Sequence, residues 1–305
     1  MTVAQRQPAM ATDIVRRRLV SPDQKSVVIR QVWSYNLDFE FAIIRAVVRR
    51  YPFVSMDTEF PGVVFAPSAS DGTPAALTHR HGLRGPRDQY RFLKRNVDAL
   101  KLIQVGLTFS DAGGNLPGLG TSTTGFIWEF NFAGFNAARD PHSPESVALL
   151  RCQGVDLERN REEGVDCRRF AQLMLTSGLL FNQSVTWVTF HSAYDFGYLV
   201  KILTRRHLPS RLEDFLGLLR TFFGDRVYDI KHMIRFCDSL YGGLERVAKT
   251  LQVNRTVGKC HQAGSDSLLT WLAFRRMRDL FFVNPGPEKL AGVLYGLDIP
   301  LRAMH

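Results

Sequence analysis

Two carboxylates separated by a single residue are the first chemistry this chain offers. They lie in the run Met56, Asp57, Thr58, Glu59, Phe60, inside a short β-rich segment, Phe53 to Phe60, that Pro61 and Gly62 terminate. Side chains two apart in a strand share a face, so Asp57 and Glu59 point together while Met56, Thr58 and Phe60 point the other way. Such a pair repels unless water solvates it or a cation neutralises it, and for the pair alone solvation is the commoner case. Asp195 sits in the run His191 to Tyr198, just after a predicted strand, Thr186 to Phe190, where open sheets place their sites. Alone it reads as a first-turn acid complementing a helix N-terminus, a stabilisation of ~0.3 to 1 kcal/mol. His261 precedes Asp266 by five residues where the last long helix opens. An isolated histidine is more often a surface or core residue than a catalyst, and Asp266 alone reads as a cap. Asp-x-Glu on a first strand, a later Asp after a strand and His-x4-Asp before a C-terminal helix are much rarer in combination.

The elements that must position these groups follow from the hydrophobic pattern. The stretch from Val28 to Arg50 predicts mainly helix, with a strand at Val27 to Val32. After the strand that holds Asp57, a helix is expected over Tyr90 to Leu100 and strands over Leu102 to Phe109 and Phe126 to Phe132, in antiparallel meander order. In the last of these Phe126, Trp128, Phe130 and Phe132 alternate with Ile127, Glu129 and Asn131. Ser143, Pro144 and Glu145 open a helix reaching about Cys152, and Asp166 caps another that runs to Ser177. Helices at 193–204, 212–223, 231–240 and 244–253, a strand at 226–230 and the final helix from near Ser265 complete an alternating section. The fold class is α/β: a mixed sheet, antiparallel meander plus parallel strands, covered by helices. Residues 1–24 read as a loosely ordered arm, 66–87 as a surface loop and 25–300 as a single domain.

Composition bounds the function. With 45% hydrophobic and 22% charged residues among 305, a disordered or fibrous chain is excluded. No apolar run approaches the ~18 residues of a membrane span, and Met1 to Arg18 lacks a signal-peptide core, so no membrane partner is expected. Cys152, Cys167, Cys237 and Cys260 show neither a CxxC pair nor zinc-ligand spacing, which suits a reducing compartment. The formal charge of +10 suggests a polyanionic partner if groups such as Arg16 to Arg18, Arg205 to His207 and Arg275 to Arg278 cluster. Solvated helix faces are the alternative for each.

The order of acids and histidine resembles the DEDD exonuclease superfamily in its histidine-bearing subclass. More specifically, Met-Asp-Thr-Glu-Phe-Pro-Gly (56–62), Gln-Val-Gly-Leu-Thr-Phe (104–109), Trp-Glu-Phe-Asn-Phe (128–132), Phe-His-Ser-Ala-Tyr-Asp-Phe-Gly-Tyr-Leu (190–199), Tyr-Asp-Ile-Lys (228–231) and His-Gln-Ala-Gly-Ser-Asp-Ser-Leu-Leu-Thr (261–270) resemble the CAF-type (Pop-type) deadenylases, catalytic subunits of the carbon-catabolite-repressor and Not complex. The resemblance covers about residues 28–300. Ala193 stands where the family commonly has glycine, and the 66–87 loop does not align.

This resemblance implies an RNase H-like fold and a poly(A)-specific 3′→5′ exoribonuclease acting on mRNA 3′ ends and releasing 5′-AMP. It implies a Not-type scaffold and a larger deadenylase as partners, and a cytoplasmic location with a nuclear fraction. Asp57, Glu59, Asp195 and Asp266 would hold two divalent ions, Mg²⁺ foremost with Mn²⁺ as the alternative. Asp57 would bridge both ions, Glu59 and Asp266 would complete one, and Asp195 would serve the other. His261 would take the proton from the attacking water. The physics agrees, because phosphodiester hydrolysis suits two hard cations about 3.5 to 4 Å apart on oxygen ligands, and imidazoles titrate near neutrality. Phe60, Phe109, Phe196 and Tyr198 are candidates for stacking on bases, although core packing is the commoner fate of each. Lys231 would meet a phosphate or pair with Asp229. Two alternatives stand beside the deadenylase: a non-catalytic adaptor of the same complex, and a nuclease that cuts DNA or structured RNA.

Overall fold

The computed structural model describes residues 26–65 and 85–303. The expected N-terminal arm and nearly all of the expected 66–87 loop lie outside the described residues. In chain order the strands are β1 (Ser26–Val32), β2 (Phe53–Glu59), β3 (Gln104–Ser110), β4 (Thr124–Asn131), β5 (Thr186–Thr189) and β6 (Val227–Asp229). The helices are α1 (Leu37–Val47), α2 (Pro86–Ala99), α3 (Pro144–Cys152), α4 (Leu157–Glu163), α5 (Cys167–Leu175), α6 (Ala193–Thr204), α7 (Leu212–Phe223), α8 (Ile230–Met233), α9 (Leu244–Thr250) and α10 (Ala263–Phe281).

The sheet order is β1-β4-β3-β2-β5-β6. β2, β3 and β4 form the antiparallel meander, β5 and β6 continue parallel to β2, and β1 lies parallel to β4 at the far edge. This is the expected RNase H-like mixed sheet. Asp57 is opposite Gly106 on β3, and Glu59 is opposite Gln104.

Helices cover both faces. On one, α1, α2, α5, α6 and α7 pack on the larger core, and on the other α10 lies across β2 and β3 with α9 beside it. The aromatic alternation of β4 explains the larger core. Phe130 and Phe132 turn towards Phe170 of α5 at ring distances of 5.2 and 5.1 Å, and Phe41 of α1 joins them. Each fully enclosed ring of this kind contributes roughly 1.5 to 3 kcal/mol. The intervening Glu129 and Asn131 turn to the α10 face, where they are buried and hydrogen-bonded.

Differences from expectation have local causes. α4 is polar all round except for Leu157, so its sequence carries no apolar stripe; Asp156 starts it by accepting from the Arg159 N–H at 2.9 Å. The helix expected over 231–240 shrinks to α8 and a 3₁₀ turn at Ile234–Phe236, and Ser239 takes a left-handed φ of 67°. Ordered packing continues past residue 300, because Leu301 is fully buried and its N–H donates to the Gly292 carbonyl at 2.7 Å. No helix among the described residues is long and apolar enough to cross a membrane.

Candidate active site

β2 carries Asp57 and Glu59 to one end of the sheet, on the face that α10 covers. What brings α10 there is an absence. A Cβ on Gly106 would lie 1.8 Å from the Ala263 carbonyl oxygen, so only glycine lets the first turn of α10 rest directly on β3. Hydrogen bonds then fix it: Gly264 N–H donates to Glu129 Oε2 at 2.8 Å, Ser55 Oγ donates to the Ser267 carbonyl at 2.8 Å, and Ser267 Oγ shares a hydrogen with Thr108 Oγ1 at 2.8 Å. Asp266, one turn into α10, is thereby set over β2. Carboxylate oxygens of Asp57, Glu59 and Asp266 come within 4.8 Å of one another.

Asp195 arrives from the other side. Its helix begins where β5 ends, and the joint is held by Asp229, a fully buried carboxylate at the end of β6. Asp229 accepts from the backbone N–H groups of His191 (2.8 Å), Ser192 (3.2 Å), Lys231 (2.9 Å) and Tyr295 (3.0 Å). Thr58, on the opposite face of β2 from Asp57, donates Oγ1–H to Asp195 Oδ1 at 2.6 Å. Ala193, where glycine is commoner in the resembled family, is an ordinary first-turn helical residue, so its methyl group is accommodated.

His261 stands before α10 with a left-handed φ of 58°. Its N–H donates to Asp266 Oδ2 at 3.0 Å, and its Nδ1 is 3.9 Å from Glu59 Oε1. The ring is half-buried, so it closes over the acids while meeting solvent. Cys260 beside it is a poor nucleophile, because burial and then Asp266 push its thiol up to about 11.

The acids are electrostatically frustrated. Burial first, then Asp266, Glu59 and Asp195, push the Asp57 carboxyl well above its usual range. Burial, Asp266 and Asp195 do the same to Glu59, and burial raises Asp195 to about 7 against the pull of its Thr58 hydrogen bond. Burial also raises Asp266, opposed by Arg255. Arg255 is the one cation paired with the cluster among the described residues, half-buried beside it: its guanidinium is 2.5 Å from Asp266 Oδ1 and also binds Glu245 and Ser265 Oγ. One guanidinium cannot neutralise four acids. The donor set is all oxygen, which fits hard divalent cations and not soft ones.

The structure thus brings together Asp57, Glu59, Asp195, Asp266 and His261. It does not bring together the candidate base-stacking set. Phe109 is fully buried against Trp128, at 5.1 Å, and Phe196 is fully buried against Phe223, at 4.9 Å, so neither ring has a face to offer. Tyr198 is buried too, packed on Phe60 at 5.1 Å. Lys231 forms no ion pair with Asp229; its ammonium binds the Gly242 carbonyl and lies over the Phe190 and Tyr295 rings. Phe60, half-buried next to Glu59 and stacked on Tyr194 at 5.2 Å, is the member of that set placed at the site. Sequence reasoning missed Gly106, Glu129, Thr58 and Arg255 as positioning groups. Only Glu129 carried a signal, as an acid inside an aromatic strand.

A mixed RNase H-like sheet with acids from β2, α6 and α10 converging at one end defines a nuclease. A family model for the CAF1 family ribonucleases matches residues 32–172. The chain is 51% identical over 277 residues to a protein named probable CCR4-associated factor 1 homolog 10 of Arabidopsis thaliana, covering 90% of this chain and 94% of that one. It is 40% identical over 292 residues to the poly(A) ribonuclease pop2 of Schizosaccharomyces pombe, covering 95% of this chain and 79% of pop2. Among solved structures, the Mg²⁺- and Mn²⁺-bound form of S. pombe Pop2p superposes with a TM-score of 0.78 at 40% identity, over 88% of this chain and 99% of that one. A yeast CAF1 co-crystallised with the NOT1 MIF4G domain superposes with a TM-score of 0.67 at 32% identity, over 88% of this chain and 96% of that one. The chain belongs to the CAF1 ribonuclease family.

Proposed function

We propose that this protein is a poly(A)-specific 3′→5′ exoribonuclease that shortens mRNA tails by hydrolysis, releasing 5′-AMP. The observation that carries the reading is the convergence of the Asp57, Glu59 and Asp266 carboxylates, with Asp195 beside them and the His261 ring above. Asp57, Glu59, Asp195 and Asp266 would hold two divalent ions, Mg²⁺ or Mn²⁺, which when bound would neutralise the acids and the charge developing on the phosphoryl oxygens. The similarity to the Mg²⁺- and Mn²⁺-bound Pop2p supports that choice of ions.

His261 is the general base. Its imidazole accepts a proton as a water oxygen bonds to phosphorus, the bond from phosphorus to the 3′ oxygen of the preceding nucleotide breaks, and that oxygen leaves as a hydroxyl with a proton taken from solvent water. Phe60, at the edge of the acids, packs against the terminal nucleotide. Adenine preference rests on likeness to the pop2 poly(A) ribonuclease, and a Not-type scaffold as partner rests on likeness to the yeast CAF1 bound to NOT1. We place the activity in the cytoplasm with a nuclear fraction, which imaging of the tagged full-length chain tests.

Product analysis tests the reaction itself. With Mg²⁺ and an RNA ending in adenosines, 5′-AMP is the expected product from the first turnover, whereas internal fragments without mononucleotide would contradict an exonuclease. His261→Ala is expected to lower turnover strongly with RNA affinity retained.

A further inference from the structure

α6 joins the acidic site to a second feature. Its first turn carries Asp195, and its C-terminal end, ten residues on and ~15 Å away at 1.5 Å per residue, borders a cavity of about 790 Å³. The wall is apolar on the inside, where Val165, Ile202 and Tyr198 line it, and cationic at the rim. Tyr198 links the two places directly, since its ring packs on Phe60 beside Glu59.

The rim charges fall into two groups. Lys201 is committed to the fold, donating to the carbonyls of Val97, Asp98 and Leu100 at 2.7 to 3.0 Å, and Lys101 pairs with Asp140 at 2.9 Å. His207 lies 4.0 Å from Asp98. Arg168, Arg205 and Arg206 are exposed, and their guanidiniums have no ion-pair or hydrogen-bond partner among the described residues. Asp166, the acid on this wall, is occupied by the N–H groups of Arg168 and Arg169 at 2.9 Å. Three uncompensated guanidiniums around an apolar hollow match a phosphodiester strand with bases to bury.

We propose that this cavity binds the single-stranded RNA upstream of the scissile end, with Arg168, Arg205 and Arg206 on its phosphates. The inference rests on the nuclease reading and deepens it by adding a second contact to the same substrate. The ~15 Å along α6 corresponds to roughly four nucleotides at the ~3.4 Å spacing of a stacked strand. Substrates longer than that reach the arginines at the far end of α6, and shorter ones do not.

The test is steady-state kinetics of the full chain on adenosine trimers and dodecamers, with Mg²⁺, over a range of salt. The triple variant Arg168→Gln, Arg205→Gln, Arg206→Gln is expected to raise KM for the dodecamer by about tenfold, and to make its log–log salt dependence shallower by about 2, at ~0.7 per phosphate contact. Trimer kinetics and kcat should not move, and a triple lysine variant should recover most of the dodecamer KM. A single Arg206→Gln variant provides a milder step in the same direction. An unchanged dodecamer KM and salt slope, or equal changes on both lengths, would overturn the inference while leaving the nuclease intact. Failure of the unaltered protein to shorten either oligomer would remove the nuclease reading, and the inference with it.

Discussion

Gly106 of β3 and Ala263 of α10 approach so closely that a methyl group on Gly106 would stand 1.8 Å from the Ala263 carbonyl oxygen. This contact sets the height of α10 over the sheet and hence the distance from Asp266 to Asp57. Gly106→Ala must lift the helix start. A displacement near 1 Å costs about 100-fold in a positioned reaction, so kcat/KM on an A-tailed RNA is expected to fall by that order. Far-ultraviolet circular dichroism should remain close to that of the parent, because the rest of the sheet is untouched.

Thr58 and Asp195 give a milder test. Removing the 2.6 Å hydrogen bond with Thr58→Val leaves Asp195 buried with only backbone donors to hold it. Losing a partner of a buried charged acceptor costs ~1 to 3 kcal/mol, and we expect turnover to fall roughly tenfold at saturating Mg²⁺. Thr58→Ser, which restores the donor, should recover most of it. Equal activity of the valine and serine variants would show that the bond does not position Asp195.

The acids also make a prediction about pH and metal. Asp195 in the folded chain titrates at about 7, and Asp57 and Glu59 are raised as well, while unfolded carboxyls titrate near ~4. Between those values the folded state binds more protons than the unfolded state, so the stability these groups contribute without metal is greatest at acid pH and declines as pH rises from about 4 towards 7. Divalent ions bind the ionised acids, so the gain in Tm on adding Mg²⁺ should grow across the same window. Thermal melts in EDTA and in Mg²⁺ from pH 4.5 to 7.5 measure both trends; a metal gain that shrinks with pH would contradict the assignment.

Arg255 is the resident counter-charge. Breaking a buried pair by removing one partner costs roughly 3 to 5 kcal/mol, and Arg255→Met should lower Tm in EDTA accordingly. In Mg²⁺ the loss should be smaller, because the ions supply the positive charge that the substitution removes. Equal losses in both buffers would mean that Arg255 serves only Glu245 and the Ser265 hydroxyl.

Much of this arrangement was legible in the sequence, for identifiable reasons. α6 and α7 occupy the expected residues because their apolar periodicity is strong, and the Ser143 and Asp166 caps start α3 and α5 where side-chain oxygens can accept from the next turn. Asp57 and Glu59 share a face by strand geometry alone. α4 was not legible, since nearly every residue in it is polar and its place is set by tertiary contact. Nor were the roles of Gly106 and Arg255, which depend on partners from distant segments. For the base-stacking candidates, adjacency to a motif does not say which way a ring turns, and Phe109 and Phe196 turn into the core, the commoner fate of such rings.

The most direct measurement uses two 5′-labelled RNAs of equal length, one ending in adenosines and one in another nucleotide, incubated with Mg²⁺ or with EDTA, and with Asp57→Ala in parallel. We expect stepwise shortening of the adenosine tail in Mg²⁺ by the parent protein, little change in the other RNA, and none of either with EDTA or with the variant. Undiminished shortening by Asp57→Ala, or in EDTA, would contradict the claim that the carboxylate cluster performs the chemistry.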